Sequence, residues 1–249
     1  MIDRSVVVTG GNRGIGLDIT TAFVNAGYFV VVGARKDPGL GEKFGDRVQF
    51  VRADVRKESD HVELVNTAVK RTGGLNVFIN NAGYSAWRPI EKIDSQFIND
   101  ILATNLVGAF WGCKAAASVM NEGASIINIS SIAGKRGSIN NSAYCATKFG
   151  MNGLTQSLAK ELGPRGIRVN ALCPVLVPTK GLLEALSDPF SPAGGNPEEF
   201  IDNFTKQNAA LDRLPTGEQI GAMSVMLASD EASAITGQCI NVDCGVFPQ

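Results

Sequence analysis

Short apolar runs alternate with segments of helical periodicity along nearly the whole sequence. Runs rich in valine and isoleucine predict buried strands, and apolar residues that recur every three or four positions predict the helices between them. The predicted strands are residues 5–9, 28–34, 47–52, 75–79, 124–129, 167–172 and 237–242. This alternation predicts a single α/β domain over residues 1–249, in which helices flank a doubly wound parallel sheet of about seven strands.

Two helical segments carry more apolar surface than one face of a sheet can cover. Residues 94–120 form a long apolar pattern, with a bend expected and the polar residue Asn105 inside it. Residues 142–162 form the second pattern. Apolar helix surface that remains uncovered within one subunit favours pairing between subunits.

Composition limits the classes of function. The 249 residues are 44% hydrophobic and 19% charged, with a net charge of −1, which gives no electrostatic basis for binding nucleic acid or an acidic membrane. No apolar run reaches membrane-spanning length, and a first strand near residue 5 leaves no room for a signal peptide, so we expect a soluble cytoplasmic protein. The five cysteines lack metal-site spacing, and His61, the single histidine, is expected on a helix surface, so no metal site is predicted.

Ser131, Tyr144 and Lys148 form the candidate catalytic group. Tyr144 and Lys148 are four residues apart and share one face of the predicted helix 142–162. The preceding strand end and loop can bring Ser131 over that face, at the carboxyl edge of the sheet where open α/β folds bind ligands. A nearby ammonium is expected to lower the pKa of Tyr144 and make it a usable acid or base, while Ser131 stabilises charge on a substrate oxygen.

A glycine-rich turn follows the first predicted strand. Gly10, Gly14 and Gly16 allow a tight turn, close approach of the backbone to a pyrophosphate and close packing of the next helix. The N-terminus of that helix is expected to hold the phosphates.

The end of the second predicted strand bears on the choice of cofactor. A carboxylate at this place would bind the ribose 2′-hydroxyl of NAD, but the sequence has Ala34, Arg35 and Lys36. Arg35, together with Arg13 in the glycine turn, can pair with a 2′-phosphate. The sequence therefore predicts NADP(H) over NAD(H), with Asp37 two positions after Arg35 as the feature that keeps NAD(H) open.

Together these motifs resemble those of the short-chain dehydrogenase/reductase family. The match includes Thr-Gly-x-x-x-Gly-Ile-Gly from residue 9, Asn-Asn-Ala-Gly at residues 80–83, Asn-Ile-Ser-Ser at residues 128–131 and the spacing from Ser131 to Tyr144 and Lys148. The resemblance covers nearly the whole chain and implies a Rossmann-like NAD(P)-binding catalytic domain, commonly assembled as a homodimer or homotetramer. It implies Tyr144 as acid/base, Lys148 as its activator and a ribose ligand, and Ser131 as the residue that positions the substrate oxygen.

Other roles follow from the resemblance alone. Asn105 would hold a water that links Lys148 to solvent, Asp54 and Val55 would contact the adenine ring, and the segment up to Thr179 would bind the nicotinamide carboxamide. The full set implied for the cofactor is Gly10, Asn12, Arg13, Gly14, Ile15, Gly16, Arg35, Asp54, Val55, Asn81, Ala82, Gly83, Tyr144, Lys148, Pro174, Val177 and Thr179.

Two positions depart from the family pattern, because Val175 and Cys244 stand where glycine is usual. Val175 implies either that the local turn differs from that of the family or that the family glycine does not have a positive φ, and its added bulk is expected to narrow the site. Residues 180–211 are the least family-like stretch, and the architecture implies that they form a lid over the substrate.

The predicted function is hydride transfer between NADP(H) and a carbonyl/secondary alcohol pair of an unidentified small molecule. Two alternatives stay open. One is a catalytically silent NADP(H)-binding regulatory or assembly protein, and the other is a non-redox enzyme, such as an epimerase or dehydratase, on the same scaffold.

Overall fold

The computed structural model describes residues 4–248, and the ends of the predicted domain, residues 1–3 and 249, lie outside that range. The described strands are β1 (Ser5–Thr9), β2 (Phe29–Ala34), β3 (Val48–Arg52), β4 (Val77–Asn80), β5 (Ser125–Ile129), β6 (Arg168–Pro174) and β7 (Cys239–Val242). They form one sheet in the order β3-β2-β1-β4-β5-β6-β7, with parallel pairing throughout. The predicted doubly wound α/β class is confirmed.

Helices connect the strands and cover both faces of the sheet. They are α1 (Gly14–Asn25), α2 (Leu40–Phe44), α3 (Glu58–Thr72), α4 (Ser95–Leu102), α5 (Gly108–Val119), α6 (Ser142–Leu162), α7 (Lys180–Leu186), α8 (Pro197–Asn208) and α9 (Gly217–Ala228). The bend predicted within residues 94–120 is a π-type turn over Ala103–Val107, between α4 and α5. Such turns often mark functional positions, and this one contains Asn105.

The sheet separates two apolar layers. On one face, Phe78 of β4 belongs to a cluster with Leu64 of α3 and Met151 of α6. On the other face, Val8 of β1 belongs to a cluster with Phe23 of α1 and residues of α9. Because strands buried on both faces have no solvent side, their sequences are continuous apolar runs, which is the pattern that revealed them.

The order in which strands are added to the sheet reverses between β1 and β4. The loops that follow these two strands therefore run to opposite sides and leave a crevice at the carboxyl ends of the strands. Thr9 Oγ1 accepts hydrogen bonds from the backbone N–H groups of Asn81 and Ala82, at 3.0 and 3.1 Å. Asn81 Nδ2 donates to Thr9 O at 2.9 Å. These bonds join the two strand ends below the crevice.

A chain of buried polar side chains crosses from β4 to α6 below the same crevice. Asn80 Nδ2 donates to Asn128 Oδ1, and Asn128 Nδ2 donates to Thr155 Oγ1, both at 2.9 Å. Gly112 on α5 leaves room for this chain, because a Cβ there would collide with Asn80 Oδ1. The hydrogen bonds satisfy polar groups inside an apolar interior and fix α6 against the sheet.

Val175 and Cys244, the two positions where the family pattern has glycine, differ in backbone conformation. Val175 is not among the described residues with a positive φ, and its buried side chain packs with Ile132, Ala209 and Leu214. Cys244 has φ = 55°, in the left-handed region. Steric crowding of Cβ there costs a residue other than glycine about 1 kcal/mol or more. The usual glycine is therefore dispensable at Val175, while Cys244 holds a conformation that glycine would adopt at lower cost.

We expect Cys244→Gly to be more stable than Cys244→Ala by about 1 kcal/mol, because only alanine keeps a Cβ in the left-handed conformation. Both variants lose the 3.6 Å contact from Arg213 Nη1 to Cys244 Sγ, so their difference isolates the backbone effect. Urea unfolding measures it. Equal stability of the two variants would contradict a strained backbone at this position.

Candidate active site

The first turns of α6 place Tyr144 and Lys148 on one face, as their spacing predicts. Lys148 Nζ lies 5.6 Å from the centre of the Tyr144 ring and donates a 2.8 Å hydrogen bond to Ile129 O at the end of β5. Lys148 is buried and Tyr144 is half-buried. The bond to Ile129 therefore fixes the lysine amine at the carboxyl edge of the sheet.

Ser131 reaches the same place from the loop after β5. Its backbone is extended, and its Oγ accepts the N–H of Ala133 at 3.1 Å and donates to Pro174 O at 3.4 Å. The Ser131 hydroxyl also forms a hydrogen bond with the Tyr144 side chain. The structure thus brings together the hydroxyl, the phenol and the amine that the sequence grouped.

Burial governs the protonation of both titratable groups. It raises the pKa of Tyr144 to about 12, although the hydrogen bond with Ser131 acts in the opposite direction. It also lowers the pKa of Lys148 to about 8. The predicted lowering of the Tyr144 pKa is wrong for this structure, because loss of water around a phenolate outweighs the favourable contacts. Near pH 7 Tyr144 is a neutral phenol, which is the form that donates a proton.

Asn105 is fully buried in the π-type turn and holds the segment after β4. Its Nδ2 donates to Tyr84 O at 2.8 Å, and its Oδ1 accepts the N–H of Tyr84 at 3.0 Å. A Cβ on Gly83 would lie 3.1 Å from Asn105 Oδ1, so the small residue is needed there. The side-chain amide is engaged by protein, and its predicted part in a water relay to Lys148 stays a prediction.

The glycine turn after β1 has the features that its sequence predicts. Gly10 and Gly14 have φ values of 64° and 51°. A Cβ on Gly16 would collide with Gly10 O, so α1 can pack this closely only with glycine at that position. Asn81 Nδ2 reaches Gly10 O at 3.2 Å, and Ile15 packs against the core cluster below α1.

The cations proposed for the ribose end of the crevice lie on its surface. Arg13, at the start of α1, and Arg35, directly after β2, are both exposed. Asn12 Nδ2 donates to Lys36 O at 2.9 Å, which joins the glycine turn to the loop after β2. That bond holds the segments that carry the two arginines next to each other.

Asp54 and Val55 follow β3, and each has a protein partner. The Asp54 carboxylate accepts from Arg56 Nε at 2.9 Å and from Arg56 Nη2 at 2.5 Å, and these bonds lower the pKa of Asp54 to about 2. Val55 O lies 2.9 Å from His61 Nε2. His61 is fully buried on α3, so its predicted surface position is wrong. It belongs to the apolar face of that helix with Leu64, one turn further on.

The segment after β6 runs along the glycine turn. Pro174 O accepts the Ser131 hydroxyl, and Val177 is buried. Thr179 begins α7, where its Oγ1 accepts the N–H of Leu182 at 3.3 Å. A Cβ on Gly14 would lie 3.6 Å from the Thr179 side chain, so the two segments face each other. A cavity of about 270 Å³ opens beside Val177 and Thr179, bounded by α8 and the start of α9.

Thr9 and Asn128 hold the site together, although the sequence predicted no role for either. Thr9 joins β1 to β4, and Asn128 joins β4 to α6. The signal that could have found them is a polar residue at the end of a run that is otherwise apolar, since a buried polar group requires partners.

Comparisons with known proteins cover almost the whole chain. A family model described as enoyl-(acyl carrier protein) reductase matches residues 10–247. A short-chain dehydrogenase/reductase of Armillaria gallica is 35% identical over 98% of this chain and 95% of the relative. A 3-alpha-(or 20-beta)-hydroxysteroid dehydrogenase of Mycobacterium bovis is 37% identical over 98% and 90%. A crystal structure of a variant actinorhodin polyketide ketoreductase with NADPH is 30% identical, with a TM-score of 0.87 over 98% of this chain and 97% of that one.

Neither a metal-binding cluster nor a membrane-spanning helix occurs in the part of the chain that the structure describes. Within residues 4–248, no three histidine, cysteine, aspartate or glutamate side chains are grouped so that they could hold a metal ion. No helix in the same range combines the length and apolar character needed to cross a membrane.

The buried amine of Lys148 predicts a pH-dependent stability. Below about pH 8 the lysine is charged in both folded and unfolded chains. Above that pH the folded lysine loses its proton while the unfolded lysine, with its higher pKa, keeps it, so stability increases with pH up to about 10.5. The unfolding free energy of the wild type should rise relative to Lys148→Met by up to about 3 kcal/mol between pH 7 and this limit.

Urea unfolding of both proteins at a series of pH values measures this difference. Lys206→Met, on the exposed side of α8, is the charge-matched control, and its profile should follow the wild type. Parallel profiles for Lys148→Met and the wild type would contradict a depressed lysine pKa.

Proposed function

The chain belongs to the short-chain dehydrogenase/reductase family, and from that premise we propose that it transfers a hydride between NADP(H) and the carbonyl or secondary alcohol of a small-molecule substrate. Its similarity to these relatives supports an oxidoreductase that acts on carbonyl and alcohol groups with a nicotinamide cofactor. The observation that carries the finer proposal is the meeting of the Ser131 hydroxyl, the Tyr144 phenol and the Lys148 amine at the carboxyl edge of the sheet.

The residues of the crevice fit a nicotinamide dinucleotide. The N-terminus of α1 has no side-chain cap, so its first N–H groups remain available to a phosphate. We assign the pyrophosphate to the turn from Gly10 to Gly16, the nicotinamide ribose to Tyr144 and Lys148, and the carboxamide to the segment ending at Thr179. When bound, the cofactor supplies or accepts the hydride.

In the direction of reduction, the residues of the chain handle the oxygen and the proton. Ser131 donates a hydrogen bond to the substrate carbonyl oxygen and stabilises the negative charge that develops there. Tyr144, a neutral phenol at pH 7, transfers its proton to that oxygen as the alcohol forms. The charged form of Lys148 stabilises the resulting phenolate, and a water held near Asn105 returns a proton. Oxidation uses the same groups in reverse.

Arg35 and Arg13 support NADP(H) as the cofactor. Both are exposed at the ribose end of the crevice, where a 2′-phosphate would accept their hydrogen bonds. The Asp37 carboxylate forms hydrogen bonds within its own loop, where its Oδ1 accepts the backbone N–H groups of Gly39 and Leu40 at 2.9 and 3.0 Å. A carboxylate engaged in this way stabilises its own loop, which removes the main feature in favour of NAD(H).

Residues 180–211 serve as the lid of a single catalytic domain in this proposal. The range contains α7 and α8, and Ile201 and Thr205 of α8 line the cavity beside Thr179. Val175 anchors the lid, since it packs in one cluster with Ile201 and Phe204 of α8. In this proposal the Val175 side chain, which glycine would lack, therefore packs against the lid and holds it in place.

We assign the exposed faces of α5 and α6 to pairing in a homodimer or homotetramer. Val107 and Phe110 are 38% and 49% exposed, and Phe149 on α6 is 48% exposed. Large apolar side chains at this exposure on neighbouring helices favour burial against a second subunit.

Tyr144→Phe should lower kcat by about 100-fold or more, because it removes the proton that the substrate oxygen receives. Its affinity for NADPH, measured by cofactor fluorescence, should fall by about tenfold at most, because the phenol makes only one of the contacts assigned to the nicotinamide ribose. Turnover is assayed against ketones, quinones, keto acids and oxidised sugars. Tyr28→Phe, which removes a hydroxyl far from the crevice, is the control and should keep full activity.

The outcomes of that assay separate the alternatives. NADPH binding without turnover of any compound would favour a regulatory or assembly protein. Substrate conversion without net NADPH oxidation would favour an epimerase or dehydratase. Failure to bind either nicotinamide cofactor would overturn the proposed function.

Arg35→Asp should lower kcat/KM for NADPH by about 10- to 100-fold, because a charge-assisted contact with the 2′-phosphate is replaced by repulsion. The value for NADH should be unchanged or higher. Arg47→Asp makes the same charge change at the amino end of β3, away from the crevice, and should leave both values unchanged. A constant NADPH/NADH ratio in Arg35→Asp would exclude the proposed 2′-phosphate contact.

A further inference from the structure

Arg88, in the loop after β4, lies against two aromatic rings. Its guanidinium carbon is 4.6 Å from the centre of the Phe97 ring on α4 and 5.9 Å from the centre of the Phe190 ring, between α7 and α8. Lys92 Nζ is 4.5 Å from the centre of the same Phe190 ring. Two cations are therefore gathered around one aromatic side chain of the proposed lid.

Main-chain hydrogen bonds place this cluster beside the start of α6. Arg88 N donates to Asn140 O at 2.5 Å, and Asn140 Nδ2 donates to Phe190 O at 3.2 Å. Asn140 lies two residues before α6 begins at Ser142 and four residues before Tyr144 in the sequence. The cluster thus borders the mouth of the crevice that holds the proposed catalytic group.

The guanidinium of Arg88 has unused hydrogen-bond donors. It carries five N–H donors, and its Nε is fully buried without a hydrogen-bond partner. Within residues 4–248, no ion pair joins Arg88 or Lys92 to a carboxylate. Contact with an aromatic ring occupies the face of a guanidinium and leaves its edge free, and that edge matches the planar fork of a carboxylate.

Neighbouring carboxylates are directed elsewhere. Asp94 Oδ1 accepts the N–H of Phe97 at 2.7 Å, at the start of α4. Asp188 Oδ1 accepts the N–H of Phe190 at 2.8 Å. These two carboxylates are therefore engaged by backbone groups, and neither forms an ion pair with Arg88 or Lys92.

We propose that Arg88, assisted by Lys92, binds a carboxylate of the substrate, so that the preferred substrates are oxo acids and the corresponding hydroxy acids. The inference rests on the proposed function, since it assigns a substrate class to the same site. The reacting carbonyl would lie at Ser131 and Tyr144 and the carboxylate at Arg88. The carbonyl and the carboxylate would be held by different segments of the chain, and pyruvate, acetoacetate and levulinate differ in the number of bonds between these two groups.

The test compares kcat/KM with NADPH for pyruvate, acetoacetate and levulinate, each beside its methyl ester. The wild type should prefer the acids. Arg88→Met should lower kcat/KM for the acids by about 10- to 100-fold, mainly through KM, and leave the esters within about twofold. Arg88→Lys keeps the charge without the planar fork and should recover part of the preference for acids.

Arg71→Met is the matched control, because Arg71 lies over the Phe29 ring at 5.3 Å on α3, away from the crevice, and its loss should change neither series. Binding of glutarate to the NADPH complex, followed by cofactor fluorescence, gives a second readout that needs no turnover. Arg88→Met should weaken this binding by a similar factor.

Equal losses for acids and esters would assign Arg88 a structural role and overturn the proposal. A wild-type preference for esters, or glutarate binding that does not depend on Arg88, would overturn it as well. If neutral ketones are reduced with NADPH but acids are not favoured, the proposed function stands and this inference alone fails. If the protein binds no nicotinamide cofactor, the proposed function fails, and the substrate class assigned through it fails too.

Discussion

The hydrogen bond from Lys148 Nζ to Ile129 O is the constraint on which the site depends. Placing an ammonium in a protein interior costs several kcal/mol unless polar partners compensate. A carbonyl at the end of a parallel strand provides such a partner, and the bond fixes the register of α6 against β5. The chain from Asn80 through Asn128 to Thr155 adds a second tie between the same elements. Tyr144 is therefore positioned by polar contacts below it, before any ligand is considered.

Most of the fold could be predicted because its physical signal is local. Strands buried on both faces must be apolar along their whole length, and helices packed on a sheet must be apolar every three or four residues. The predicted bounds of β1 and α6 agree with the structure at both ends. A bend somewhere within residues 94–120 is also expected from the sequence, and so is the need of a buried Asn105 for hydrogen-bond partners. The π-type turn at Ala103–Val107 and the contacts of Asn105 with Tyr84 are not contained in any local pattern.

The features of the site that could not be predicted depend on the burial of each side chain and on its neighbours in the folded protein. The spacing of Tyr144 and Lys148 indicated that they meet, but it could not indicate that burial would raise the phenol pKa. A polar histidine on an amphipathic helix is expected at the surface, but His61 lies on the buried face of α3, with its Nε2 at Val55 O. Asp54 could be assigned to a ligand, but its bidentate pairing with Arg56 appears only once both side chains are placed. Each of these three features arises from tertiary surroundings, and none from an error in the predicted helices and strands.

The structural effect of a departure from the family pattern depends on the backbone conformation at that position. Val175 and Cys244 look equivalent in the sequence, since each replaces a usual glycine. Val175 adds a buried side chain that packs with Ile201 and Phe204 of α8, and Cys244 carries a Cβ in a left-handed conformation. Arg88 illustrates the same point from the opposite side, because it belongs to no motif. It lies where hydrogen bonds join the loop after β4, the residues before α6 and the loop at Phe190, and its buried Nε lacks a hydrogen-bond partner. Family motifs thus indicate the chemistry, while the proposal for Arg88 starts from a polar group that the fold leaves without a hydrogen-bond partner.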